Sequence, residues 1–144
     1  MIVRRHRTQS DYLTHLASVP LFSQCDRAEL KSLARLTADI SAEPGQVLVR
    51  EGHGAHDFFV IVSGEAEVSR GGRVAARLGA GDWFGELGLL DPAHRDATVT
   101  ATTPMELIVM FEREFRQMER EMPSVATRVR SAIRARLENR EANS

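Results

Sequence analysis

A mainly β fold of the sandwich or jelly-roll kind, with α-helices flanking it at both ends, is what this sequence predicts, and three observations carry the prediction. Residues 39–110 break into short β-rich pieces punctuated by glycines, whereas the residues before and after them place their apolar side chains at helical spacing. A Gly71-Gly72 pair sits between two of the β-rich pieces, where a tight hairpin needs it. Many short strands joined by glycine turns bury their apolar faces by packing sheet on sheet.

The elements follow in chain order. Tyr12, Leu13, Leu16 and Val19 recur at helical spacing until Pro20 interrupts them. Asp26-Arg27-Ala28-Glu29 has the form of a capping box, opening a second helix that carries Leu30, Leu33, Ala34 and Leu36. Strands are predicted at 46–50, 58–62, 65–69, 74–78, 97–101 and 106–110. Beyond Met110, Phe111, Phe115, Met118 and Met122 make one apolar stripe, predicted to pack on the roll. Pro123 then opens a final helix with a seam of Val125, Val129, Ile133 and Leu137, and offers a hinge between the two.

The chain has 144 residues, 42% hydrophobic and 27% charged, enough for one domain that buries a core without staples. We expect a single domain over 1–144, with N-terminal helices in 1–38, a roll in 39–110 and C-terminal helices in 111–144. A net charge of −1 exerts no general pull on nucleic acid or membrane. Cys25 is the only cysteine, which excludes an internal disulfide and suits a reducing compartment. The longest apolar run, 58–62, is far short of the roughly 20 residues that span a bilayer. A cytoplasmic protein without a membrane segment is the expectation.

The chemistry concentrates in 81–101, GDWFGELGLLDPAHRDATVTA. Gly85, Gly88 and the Asp91-Pro92 turn let backbone approach a ligand, and residues 86–90 can form a helical turn whose free N–H groups face an anion. Arg95 supplies a planar, permanently charged fork for phosphate oxygens. Glu86 would repel a phosphate, so its role is to accept a hydrogen bond from a neutral hydroxyl such as a ribose 2′-OH. A surface ion pair between Glu86 and Arg95 is the plainer alternative, and the flanking glycines argue for the ligand site.

Phe84-Gly85-Glu86-Leu87-Gly88-Leu89-Leu90 followed by Arg95-Asp96-Ala97-Thr98-Val99 resembles the F-G-E-x-x-L-L and R-x-A-T-V cassette of cyclic nucleotide-binding domains. These occur in protein kinase A regulatory subunits, cyclic nucleotide-gated channels and catabolite-activator-type regulators. Pro44-Gly45-Gln46-Val47-Leu48, Arg50-Glu51-Gly52 and Val62-Ser63-Gly64-Glu65-Ala66 match the family's glycine-punctuated strands, so the resemblance runs from about Leu16 to the last helix. It implies a β-jelly roll with N-terminal helices and two C-terminal helices, no cofactor, and cyclic AMP or cyclic GMP as the ligand. By the same resemblance Gly85, Glu86, Leu87, Gly88, Arg95, Asp96 and Ala97 form the nucleotide site. Arg95 and the backbone N–H groups of Gly88 and Asp96 would take the phosphate and Glu86 the ribose, while the last helix would cover the base with Ile133, Arg134 or Leu137.

Two residues depart from the pattern. Relatives carry Thr, Ser or Ala where this chain has Asp96, and a carboxylate about 5 Å from a phosphate is repelled by roughly 3 kcal/mol at an effective dielectric near 20. His94 replaces the proline often found before the arginine. A degenerate member acting as a protein-interaction module is therefore a second expectation.

Other chemistry is weaker. His53 and His56 faintly resemble a cupin metal motif, but two histidines three apart on an extended loop do not converge, and only His94 is left to help, so a metal-dependent enzyme is disfavoured. Cys25, Ser63 and Ser69 lack a base or an elbow for nucleophilic catalysis. Arg128, Arg130, Arg134, Arg136 and Arg140 on the last helix are expected to be a solvated basic face, and no helix-turn-helix unit is expected after Ser144. The sequence thus predicts a stand-alone, non-enzymatic cyclic nucleotide sensor that signals through its terminal helices, to a second copy or an effector protein.

Overall fold

In the computed structural model, residues 3–4, 9–50, 57–85 and 97–142 are described. Their order is β1 (Val3–Arg4), α1 (Gln9–Ser18), a 3-10 turn (Pro20–Phe22), α2 (Arg27–Leu36), β2 (Ala38–Ala42), β3 (Val47–Val49), β4 (Phe58–Ser63), β5 (Ala66–Arg70), β6 (Arg73–Leu78), β7 (Trp83–Phe84), β8 (Thr98–Ala101), β9 (Met105–Met110), α3 (Glu112–Glu121) and α4 (Pro123–Ala142). Among these residues one sheet runs β1-β2-β9-β4-β7 and the other β3-β8-β5-β6, and every pairing is antiparallel. This is the predicted β-roll with helices at both ends.

The apolar runs of β4 and β9 are continuous because both faces of their sheet are covered. Phe59 and Ile61 of β4, with Met105, Leu107 and Val109 of β9, point into the roll against Ala66, Leu78, Phe84 and Val99. Phe58, Val60, Ile108 and Met110 point the other way, into a cluster with Leu13, Leu16, Leu33, Phe115, Met118, Val129 and Ile133. A one-residue slip in either strand would exchange the two sets.

The predicted turn chemistry is in place. Asp26 accepts from the Glu29 N–H at 2.8 Å while its own N–H donates to Glu29 Oε1 at 2.9 Å, closing the capping box of α2. Gly71 and Gly72 both have positive φ, at 57° and 81°, between the paired Arg70 and Arg73. Gly64 matters more for packing: a Cβ built there would lie 2.4 Å from Pro104 O, so only glycine lets the β4–β5 turn sit against the turn before β9.

Three short pieces escape the sequence pattern: β1, β2 and the two-residue β7. One expected contact also differs. Phe111 is 44% exposed at the N-cap of α3, so the stripe that packs begins at Phe115, because the helix starts one residue too late to turn Phe111 inward.

Candidate functional site

The two ends of the 81–101 segment are anchored on different sheets. Gly81 N–H donates to Ile61 O and Ile61 N–H to Asp82 O, both at 2.8 Å, and Asp82 closes its own turn by accepting the Gly79 N–H at 2.8 Å. Trp83 and Phe84 then pair with Val60 and Phe59, and the Phe84 ring stacks on Phe59 with centroids 4.8 Å apart and planes within 10°. Gly85 follows with φ of +83°, a left-handed backbone that turns the chain off the edge of the first sheet. At the far end half-buried Ala97 leads into β8, an inner strand of the second sheet between β3 and β5. Glu86, Leu87, Gly88, Arg95 and Asp96 lie outside the described residues, as do His53, His56 and His94.

Of the residues offered as a lid, Ile133 is fully buried in the cluster beneath the helices, Arg134 is exposed, and the Leu137 side chain is outside the described set. The seam of Val125, Val129 and Ile133 is thus committed to the chain's own core.

The arginines of α4 are not a uniformly solvated face. Arg128 donates to Gln24 O at 3.1 Å and to Glu29 Oε2 at 3.0 Å, beside Cys25. Burial pushes the Cys25 thiol above its ordinary pKa, opposed by the Arg128 charge. Arg130 pairs with Glu119 of α3 across the Pro123 corner. Arg136 donates to Trp83 O at 2.6 Å and lays its guanidinium 5.0 Å from the centre of the Trp83 ring. Neither Trp83 nor Arg136 was singled out by motif. The available signal was spacing, since Val125, Val129, Ile133 and Arg136 follow at four, four and three along one helical face.

A groove of about 480 Å³ between α2 and α3, lined by Ser32, Arg35, Leu36, Arg113, Gln117 and Met122 among others, belongs to the helical layer and includes no described residue of 81–101. Among the described residues no group of three or more His, Cys, Asp or Glu could hold a metal ion, and no helix is long and apolar enough to cross a membrane.

The described ends of 81–101 lie on the two sheets of an antiparallel β-roll, and comparison with known proteins gives the chain a family. Residues 39–121 match the family model described as cyclic nucleotide-binding domain, and the chain belongs to that family. Over 115 residues it is 36% identical to a cAMP-dependent protein kinase regulatory subunit of Yarrowia lipolytica, covering 78% of this chain and 31% of the relative. The chain therefore spans about a third of that relative's length. The Thermus thermophilus catabolite activator protein superposes with a TM-score of 0.76 at 26% identity, covering 86% of this chain and 61% of the other. The regulatory subunit of a cAMP-independent protein kinase A from Trypanosoma brucei gives 0.71 at 26% identity, covering 83% and 46%.

Proposed function

We propose that this protein is a cyclic nucleotide sensor without chemistry of its own, acting in the cytoplasm as one domain that binds cyclic AMP or cyclic GMP at 85–97 and passes occupancy to α3 and α4. The observation that carries the reading is the F-G-E and R-x-A-T-V pattern in a segment anchored on one sheet at Gly81–Phe84 and on the other at β8, within a chain of this family. Arg95 takes the cyclic phosphate together with the N–H groups of Gly88 and Asp96, and Glu86 accepts from the ribose hydroxyl. Leu87 is counted with them as a site residue by the family pattern. Signalling passes to an effector protein or a second copy through the outer faces of the C-terminal helices, since the inner seam is already buried. Calorimetric titration with each nucleotide is the test: saturable one-to-one binding is the expected outcome, and no heat with either ends the reading.

A second reading has its own support in Asp96 and in the likeness to a kinase subunit described as cAMP-independent. Under it the domain is an interaction module whose nucleotide site is closed by the carboxylate. Asp96→Thr separates the two, because removing about 3 kcal/mol of repulsion and adding a donor should create or tighten nucleotide binding if the carboxylate faces the phosphate. Equal affinity before and after the change would place Asp96 away from the ligand.

A further inference from the structure

We infer that Arg136 is a positioning residue for the nucleotide site: it latches α4 to the main chain where the cassette leaves the roll, and this latch sets nucleotide affinity. The argument begins with the strand edge. Among the described residues β7 is the last strand of its sheet and pairs with β4. In an antiparallel pair alternate residues turn their peptide groups away from the partner strand. The Asp82 carbonyl accepts from Ile61 and Phe84 stands opposite Phe59, so the carbonyl of the intervening Trp83 faces away from β4. Arg136 takes that carbonyl at 2.6 Å.

The same guanidinium covers one face of the Trp83 indole at 5.0 Å, so one side chain of α4 holds both the backbone and the ring of Trp83. A charged donor on a part-buried carbonyl is among the stronger neutral-acceptor hydrogen bonds, and the cation over the ring adds to it. Trp83 is two residues before Gly85, where the chain turns left-handed into the cassette. Arg136 also extends the buried row of Val129 and Ile133 by one turn, so the latch sits at the end of an already packed face. In this proposal the latched placement of α4 is the one the bound protein keeps, so a helix held there before ligand arrives has already lost the freedom that binding must otherwise remove, and the latched state binds more tightly.

The inference rests on the nucleotide-binding reading for its affinity clause, and the tests are chosen to keep the two apart. Trp83 is the only tryptophan of the chain, so its emission reports the latch directly in ligand-free protein. Arg136→Gln should shift that emission to the red, increase quenching by acrylamide and speed amide exchange in the second half of α4. Arg136→Lys, which keeps a cation and a donor, should restore much of each. In calorimetry Arg136→Gln should weaken cyclic AMP or cyclic GMP binding about five- to tenfold, the lower part of the range for coupled sites, with Arg136→Lys between it and the parent. Unchanged emission and exchange in Arg136→Gln would show that no latch exists in solution. Loosened α4 with unchanged or tighter nucleotide binding would show that the latch does not position the site. A parent protein silent to both nucleotides would overturn the affinity clause along with the functional reading, while emission and exchange still decide whether the latch forms.

Discussion

The sheet that holds β4 and β9 buries one face inside the roll and the other beneath the helices, and the two faces are secured differently. Inside the roll, Phe59, Ile61, Leu107 and Val109 meet the second sheet, which the chain joins through hairpins and turns closed by main-chain hydrogen bonds. On the helical side the elements make no ladder with the sheet. They pack on it by apolar contacts and through Arg136 to Trp83, and are tied to one another by Arg128 to Glu29 and Arg130 to Glu119. Fixed scaffold and adjustable layer are therefore opposite faces of the same two strands. A signal that leaves a site on the roll has its easiest path through the layer held by side chains, because such contacts can exchange without breaking a ladder.

The largest effect that would break this contrast is expected inside the roll. Phe59→Ala removes a side chain 3% exposed, together with its stack on Phe84, and should cost about 3–5 kcal/mol in urea unfolding. Nucleotide affinity should fall with it, because Phe84 opens the cassette pattern. A loss below about 1 kcal/mol would mean that the interior relaxes and is not the fixed half of the pair.

Next in size is the site itself. Arg95→Ala should weaken nucleotide binding by about 2–5 kcal/mol, since on the proposed reading a partly buried phosphate loses its charged partner. Glu86→Ala should cost about 1–3 kcal/mol, because only a hydroxyl loses its acceptor. Calorimetry of the two variants beside the parent measures both. An Arg95→Ala protein that binds as the parent does would remove the cassette assignment and leave the contrast between the faces standing.

What could be foreseen from sequence divides along the same line. The capping box at Asp26, the Gly71-Gly72 hairpin and the start of the last helix at Pro123 depend on neighbours within a few residues, and each stands where the local pattern puts it. β7 could not be foreseen, because two residues carry no periodicity and Trp83–Phe84 becomes a strand only by pairing with residues more than twenty positions earlier. Ile133 and the α4 arginines show the same limit. A seam along a helix says that something is covered, and only the tertiary arrangement says that sheet residues such as Phe58 and Ile108 share its cluster. Likewise a row of arginines looks solvated until the chain brings Gln24, Glu119 and Trp83 to it.

The smallest effect is the most discriminating, because it asks whether the helical layer is one unit. Glu29 serves two elements: Oε1 accepts the Asp26 N–H that closes the cap of α2, and Oε2 accepts from Arg128 of α4. Asp26→Ala should cost about 1 kcal/mol, the usual worth of an N-cap. Arg128→Ala alone should cost less than about 1 kcal/mol, since both members of its ion pair are partly exposed. Asp26→Ala keeps the Asp26 N–H that bonds Glu29 Oε1 but removes the acceptor of the Glu29 N–H, and if the loosened first turn lets the Glu29 carboxylate drift from Arg128, the double variant loses less than the sum of the two. Urea unfolding of the four proteins gives the cycle. A departure from additivity beyond about 0.5 kcal/mol ties the Arg128 anchor of α4 to the cap of α2, whereas additive losses would show that Arg128 holds α4 to the N-terminal helices independently of the cap.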